Sequence, residues 1–210
     1  MSSPNRFDAA CAALPLVAIL RGVTPDEVLP IGRALYDAGF RLIEVPLNSP
    51  EPLDSIARLV QDLPGDALIG AGTVLDKAGV LGVQQAGGQL IVMPHADVDL
   101  VTLAKAEGLF CVPGAATPTE AFACAAAGAD AVKLFPAELI APPVVKAMRA
   151  VLPKTLRLLP VGGITPEGMS AYRRAGADGF GLGGALYAPG FGATEVADRA
   201  RAFASAWRSY

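Results

Sequence analysis

The sequence predicts an α/β fold, a single (β/α)8 barrel of the TIM type with an extra N-terminal helix. Three observations predict it: a short motif that recurs along the chain, eight apolar runs at near-even spacing, and helix-start signals between them. The motif is a helix end, a glycine and an apolar run. Its copies read DAGFRLIEVP from Asp37, QAGGQLIVMP from Gln85, AEGLFCVPG from Ala106, AAGADAVKLFP from Ala126 and RAGADGFGLGG from Arg174. In each copy Ala-Gly or Glu-Gly closes the helical stretch, because glycine takes the left-handed conformation that ends a helix. The run that follows is apolar on both faces, as strands of parallel sheets are.

Taken in order, residues 4–13 form the extra helix and eight strands follow it. They are Leu16–Leu20, Arg41–Val45, Ala67–Ala71, Leu90–Met93, Leu109–Val112, Ala131–Leu134, Arg157–Val161 and Gly179–Leu182, starting every 19–26 residues, the length of one short βα unit. Thr24-Pro25-Asp26-Glu27 and Thr165-Pro166-Glu167 each offer an N-cap threonine with proline at the first helical position. Thr117-Pro118-Thr119-Glu120 adds a capping-box glutamate. The last helix runs from about Thr194 to Trp207. No linker or low-complexity stretch interrupts the series, so residues 1–210 read as one domain. An open doubly wound sheet also alternates strand and helix. It normally has fewer strands, and no G-x-G-x-x-G follows the first strand here.

Composition narrows the function. Hydrophobic residues make up 52% and charged residues 18% of the chain, enough for a large core. A net charge of −3 without a basic run argues against nucleic acid as a partner. No run of about 18 apolar residues marks a membrane span, and the start lacks the pattern of a secretory signal. The odd set Cys11, Cys111 and Cys124 reads as buried free thiols in a reducing cytoplasm. His95 is the single histidine, which excludes a zinc site built on several histidines. It reads as a surface loop residue after the fourth strand.

In a barrel of this kind chemistry sits at the C-terminal ends of the strands. Four places there carry polar residues or glycines. Lys133 interrupts Ala-Val-Lys-Leu-Phe-Pro and shares a face with Ala131. Pointing inward, it is desolvated, and a neutral amine condenses with ketones. The alternative is a lysine paired with a buried carboxylate or reaching to solvent. Glu44 ends the second strand in phase with Leu42, where a carboxylate can serve as base or acid, or as the ion-pair partner of Lys133. Arg21 follows the first strand and Thr73 the third. Together they suit a substrate carboxylate, although Arg21 also suits a surface charge and Thr73 a helix cap. Gly162-Gly163 and Gly183-Gly184 follow strands seven and eight, where barrels bind phosphate on backbone N–H groups. Tight turns would also explain them.

With these residues in hand, the chain resembles the family of 2-keto-3-deoxy-6-phosphogluconate and 2-keto-4-hydroxyglutarate aldolases over essentially its full length. The resemblance is carried by Gly39-Phe-Arg-Leu-Ile-Glu44-Val, Gly70-Ala-Gly-Thr73-Val and Gly128-Ala-Asp-Ala-Val-Lys133-Leu-Phe-Pro136-Ala. It implies that Lys133 is the Schiff-base lysine and Glu44 the catalytic glutamate. Arg21, Thr73, Gly162, Gly163, Gly183 and Gly184 then bind substrate, with no metal or organic cofactor. It also implies a homotrimer and a small phosphorylated 2-keto acid as substrate. Two stretches depart from the gluconate enzymes. Val45-Pro46-Leu47-Asn48-Ser49-Pro50 replaces their Thr-Leu-Arg-like sequence. With Ala18-Ile-Leu-Arg21-Gly-Val-Thr-Pro-Asp-Glu27, it resembles the branch acting on the 6-phosphogalactonate epimer, which differs at C4. Gly184 stands where relatives often carry serine. The implied reaction is class I cleavage of 2-dehydro-3-deoxy-6-phosphogalactonate to pyruvate and D-glyceraldehyde 3-phosphate. Alternatives are the gluconate epimer, a phosphate-binding isomerase or epimerase using Glu44 as base, and a non-catalytic phosphometabolite binder.

Overall fold

The computed structural model describes residues 5–209. Helix α1 spans Arg6–Ala13, capped by Asn5, whose Oδ1 accepts from the Asp8 N–H at 2.8 Å. Residue 4, where the sequence placed the helix start, lies outside the described residues. The strands are β1 (Leu16–Ile19), β2 (Leu42–Pro46), β3 (Leu68–Gly72), β4 (Leu90–Val92), β5 (Phe110–Val112), β6 (Gly114–Ala115), β7 (Ala131–Leu134), β8 (Arg157–Pro160) and β9 (Phe180–Leu182). Helices α2 (Val28–Asp37), α3 (Pro52–Asp62), α4 (Lys77–Gln85), α5 (Val98–Ala106), α6 (Pro118–Ala126), α7 (Pro142–Val151), α8 (Met169–Arg174) and α9 (Ala193–Arg208) alternate with them.

Each of the eight predicted runs forms a strand. The fifth continues past its predicted end as two short pieces, β5 and β6. Pro113 separates them, since it has no N–H to donate to a ladder. All pairings are parallel, in a six-stranded sheet of order β5-β4-β3-β2-β1-β9 and a three-stranded sheet of order β6-β7-β8. Two links join the sheets. The bridge Val161–Gly181 lies between the end of β8 and β9. The Asp130 N–H donates to the Cys111 carbonyl at 3.0 Å, and the Lys133 N–H to that of Pro113 at 2.9 Å.

Side-chain alternation sorts the core into two layers. Val17, Leu42, Leu68, Leu90, Val112, Ala131 and Leu159 face one another on the concave side. Ala18, Ile43, Ile69, Ile91, Val132 and Leu158 face the helices. Phe7, Ala10 and Cys11 of α1 join the concave layer, and Phe7 stacks on Phe110 at 5.7 Å. The extra helix therefore seals the strands' N-terminal ends and leaves their C-terminal ends as the open side.

Two helix starts differ from the sequence reading. Thr24 does not cap α2: its Oγ1 donates to Glu27 at 2.7 Å, and the helix begins only at Val28. Thr165 likewise closes a turn with the Gly168 N–H before α8 begins at Met169. Thr117 forms the predicted capping box with Glu120. All three cysteines are buried and free. No helix among the described residues is long and apolar enough to cross a membrane.

Candidate active site

Lys133 lies on β7, between Gly114 of β6 and Leu159 of β8. It is 5% exposed. Val17, Ile19, Val92, Val112, Leu159 and Val161 make an apolar floor around it, and its Nζ stands 4.5 Å from the centre of the Phe135 ring. Water is scarce here, so burial pulls the amine's pKa below its ordinary value. The Glu44 carboxylate opposes that fall and the Arg21 charge adds to it.

Glu44, on β2, is buried to 1% exposure, and among the described residues its Oε2 has no hydrogen-bond partner. Burial raises its pKa from 4.5 to about 7, against the pull of Lys133, of Arg21 and of a backbone hydrogen bond from Gly72. Gly72 makes the room: a Cβ there would fall 2.0 Å from Oε2.

Arg21 closes the site from above. Its Nη1 donates to Asn48 Oδ1 at 2.7 Å and its Nη2 to Thr73 Oγ1 at 3.2 Å. Thr73 does not cap α4, a role Asp76 fills. It stands instead in the left-handed region at φ 53°, a strained place for a β-branched residue, with its hydroxyl on Arg21. The Gly22 N–H donates to Ser49 Oγ at 2.9 Å, and the Leu47 N–H to the Gly72 carbonyl at 2.8 Å. The Pro46–Pro50 stretch is thus clipped to the ends of β1 and β3.

A cavity of about 240 Å³ runs from Lys133 and Arg21 to Gly162, Gly163, Gly183 and Gly184. Gly162 and Gly163 have φ of 116° and 61°, which side chains rarely adopt. Among the described residues no backbone carbonyl accepts from the N–H groups of Gly163 and Gly184, which are open to an anion. Glu44 and Thr73 do not line this cavity. Glu44 lies against Gly72, and Thr73 reaches it through Arg21. A larger open groove of about 470 Å³ lies beside Leu47, Leu53 and Gly79, but its charged residues, Glu51 and Asp54, are acidic and unsuited to an anionic substrate.

Every predicted site residue therefore belongs to one neighbourhood. Sequence reasoning missed Asn48, Ser49, Phe135 and Glu138. Asn48 and Ser49 fall in the stretch whose departure was visible, but a hydrogen bond to Arg21 has no signature in spacing. His95 sits half-exposed, 3.9 Å from Asp97, and does not line the cavity.

A buried amine and a buried carboxylate beneath an anion-suited cavity define a site for lysine-based chemistry on a small anion. The sequence profile of the KDPG and KHG aldolases matches residues 7–198, and the chain belongs to that family. It is 45% identical over 193 residues to the probable 2-dehydro-3-deoxy-6-phosphogalactonate aldolase of Rhizobium meliloti (strain 1021), covering 92% of this chain and 91% of that one. It is 45% identical over 195 residues to the 2-dehydro-3-deoxy-6-phosphogalactonate aldolase of Escherichia coli (strain K12), covering 93% and 95%. A solved structure described as native KDPGal superposes with a TM-score of 0.91 at 45% identity, over 93% of this chain and 95% of that one.

Proposed function

We propose that this chain is a class I aldolase that cleaves 2-dehydro-3-deoxy-6-phosphogalactonate to pyruvate and D-glyceraldehyde 3-phosphate. The observation that carries the reading is Lys133, an amine buried on apolar residues beside a carboxylate that titrates near neutrality. The Lys133 Nζ adds to the C2 ketone, water leaves, and a protonated imine forms. Glu44, directly or through a water, takes the proton of the C4 hydroxyl, the C3–C4 electron pair moves toward the imine nitrogen, and the aldehyde departs. The enamine left on Lys133 is protonated at C3. Water then adds to the imine, freeing pyruvate and the amine. Arg21, oriented by Asn48 and Thr73, holds the pyruvate carboxylate. Gly162, Gly163, Gly183 and Gly184 hold the phosphate.

The choice of the C4 epimer rests on Pro46–Pro50 and on the two relatives named for the galactonate compound. The stretch begins two residues after Glu44, so it lies close to the base that meets the C4 hydroxyl. Trapping with pyruvate and borohydride tests the mechanism: a stable adduct is expected on Lys133 and none in Lys133→Met. A chain that gains no mass there sinks the proposal. Comparing kcat/KM for the two epimers tests the substrate, and a preference for the gluconate compound refutes it.

We also propose that the two sheets close as one (β/α)8 barrel within a single domain over 1–210, supported by the Val161–Gly181 bridge and the Asp130–Cys111 bond. The chain is also proposed as a cytoplasmic homotrimer. Buried free thiols suit a reducing compartment, and exposed Leu75, Leu139 and Val151 offer apolar surface for self-association. Light scattering that returns a monomer would count against the trimer.

A further inference from the structure

One charged side chain on the cavity wall has no part in the reaction above. Glu138 follows Pro136-Ala137 in the loop after β7, and its carboxylate lies against the glycine cluster after β8. A Cβ built on Gly162 would fall 2.2 Å from Glu138 Oε2, and one on Gly163 would fall 3.2 Å from its Cγ. The bare glycine backbone is what lets the carboxylate sit there. Among the described residues nothing holds it: Glu138 has no hydrogen bond and no ion pair. The backbone around it is fixed. The Ala137 N–H donates to the Val161 carbonyl at 2.9 Å, the Ile140 N–H to that of Ala137 at 3.1 Å, and the Tyr172 hydroxyl to the same Ala137 carbonyl at 3.0 Å. Only the side chain is free to move, and it is exposed.

The charge is of the wrong sign for its place. The cations on the cavity wall are engaged elsewhere, Arg21 with Asn48 and Thr73 and Lys133 on its apolar floor, and neither pairs with Glu138. Around Gly162, Gly163, Gly183 and Gly184 the wall offers backbone N–H groups and one carboxylate. An anion bound there meets Glu138 unless that side chain turns away.

We propose that Glu138 is a specificity-determining residue whose carboxylate occupies the anion end of the cavity in the free protein and yields that place to the substrate's phosphate. This rests on the phosphate reading of the glycine clusters. A phosphate of charge near −2, roughly 5 Å from a carboxylate in a water-like dielectric, is disfavoured by about tenfold in binding. Glu138 therefore weakens binding of phosphorylated acceptors and has little effect on neutral ones.

The test measures aldol condensation with saturating pyruvate, varying D-glyceraldehyde 3-phosphate or D-glyceraldehyde, in the wild type, Glu138→Gln and Glu138→Ala. The ratio of kcat/KM for the phosphorylated over the plain aldehyde is expected to rise about tenfold in both variants. Inorganic phosphate should inhibit both about tenfold more tightly, and added salt should shrink each difference. A merely structural role would change both aldehydes alike. If the wild type favours the phosphorylated aldehyde and the variants keep or lower that ratio, the role of Glu138 is overturned and the phosphate site stands. If the wild type shows no preference and no inhibition by phosphate, the glycine clusters are not a phosphate site, and the proposal falls with them.

Discussion

Replacing Glu44 by glutamine should stabilise the fold and cripple the reaction, and the stabilisation should depend on pH. Glu44 is wholly buried, and its pKa rises from 4.5 to about 7 despite two nearby cations. Because the folded value lies above the unfolded one, the folded chain binds more protons between those pH values. The wild type therefore loses stability as pH climbs through that window. At about 1.36 kcal/mol per pH unit, holding the carboxylate ionised costs roughly 3 kcal/mol above pH 8. Below pH 4.5 the group is protonated in both states, and the cost disappears. The attraction of Lys133 is already contained in that raised pKa, so losing it is not a separate penalty. Glutamine keeps the shape and removes the charge. For a chain of 210 residues the gain corresponds to a rise in Tm of about 6–12 °C at pH 8, and to none at pH 4. Removing the base should lower kcat by about 10²- to 10⁴-fold. Thermal unfolding followed by circular dichroism at pH 4, 6 and 8, with steady-state kinetics, measures both. A variant that melts below the wild type at pH 8, or shows the same difference at pH 4 and pH 8, would refute the reasoning.

Gly72→Ala puts a methyl group into the space of the Glu44 carboxylate, so kcat should fall at least about 100-fold, with a stability loss of about 1–3 kcal/mol read from denaturant melts. Gly184→Ser enters open space and adds a hydroxyl donor. The KM for the phosphorylated aldehyde should fall about 3- to 10-fold, while that for plain glyceraldehyde should not follow. Asn48→Ala removes the acceptor that orients Arg21, so the KM for pyruvate in condensation should rise about 3- to 10-fold; an unchanged KM would detach Arg21 from the carboxylate.

The strands were legible because a parallel strand buried on both faces must be a continuous apolar run, and glycine after a helix leaves a mark at each start. The start of α2 was not, because a threonine before a proline looks the same whether its hydroxyl accepts from the backbone or donates to a side chain, as Thr24 does to Glu27; at α8 the Thr165 hydroxyl does accept from the Gly168 N–H at 3.3 Å, yet the helix begins only at Met169. The division at Pro113 shows the same limit: a proline is visible in the sequence, but that it splits the fifth strand into β5 and β6 is not. In the site, Lys133 and Glu44 stood out as charges inside apolar strands. Asn48 and Glu138 did not, because a polar residue in a loop is ordinary, and only the fold brings one onto Arg21 and the other onto Gly162.

The electrostatics of Lys133 and Glu44 gain their meaning from being opposed. Burial pushes the carboxyl up and the amine down, so the two affinities for a proton approach each other. A lone buried lysine would be a nucleophile without a proton source, and a lone buried glutamate would be a base without an electron sink. In the proposed reaction the neutral pair is the state that attacks: a free amine beside a protonated carboxyl. That carboxyl can give its proton to the hydroxyl that must leave as water, and in giving it becomes the carboxylate that receives the C4 proton. Arg21 lies close enough to lower both pKa values. It adds to the fall of the amine's pKa and eases ionisation of the carboxyl. Its two hydrogen bonds, to Asn48 and Thr73, keep the guanidinium at the mouth of the site rather than in an ion pair with Glu44. A direct Arg21–Glu44 pair would hold the carboxylate ionised in a lasting way and end its use as a proton donor. In the proposed reaction the strained Thr73 and the clipped Pro46–Pro50 stretch therefore help to make Lys133 reactive, although neither touches it.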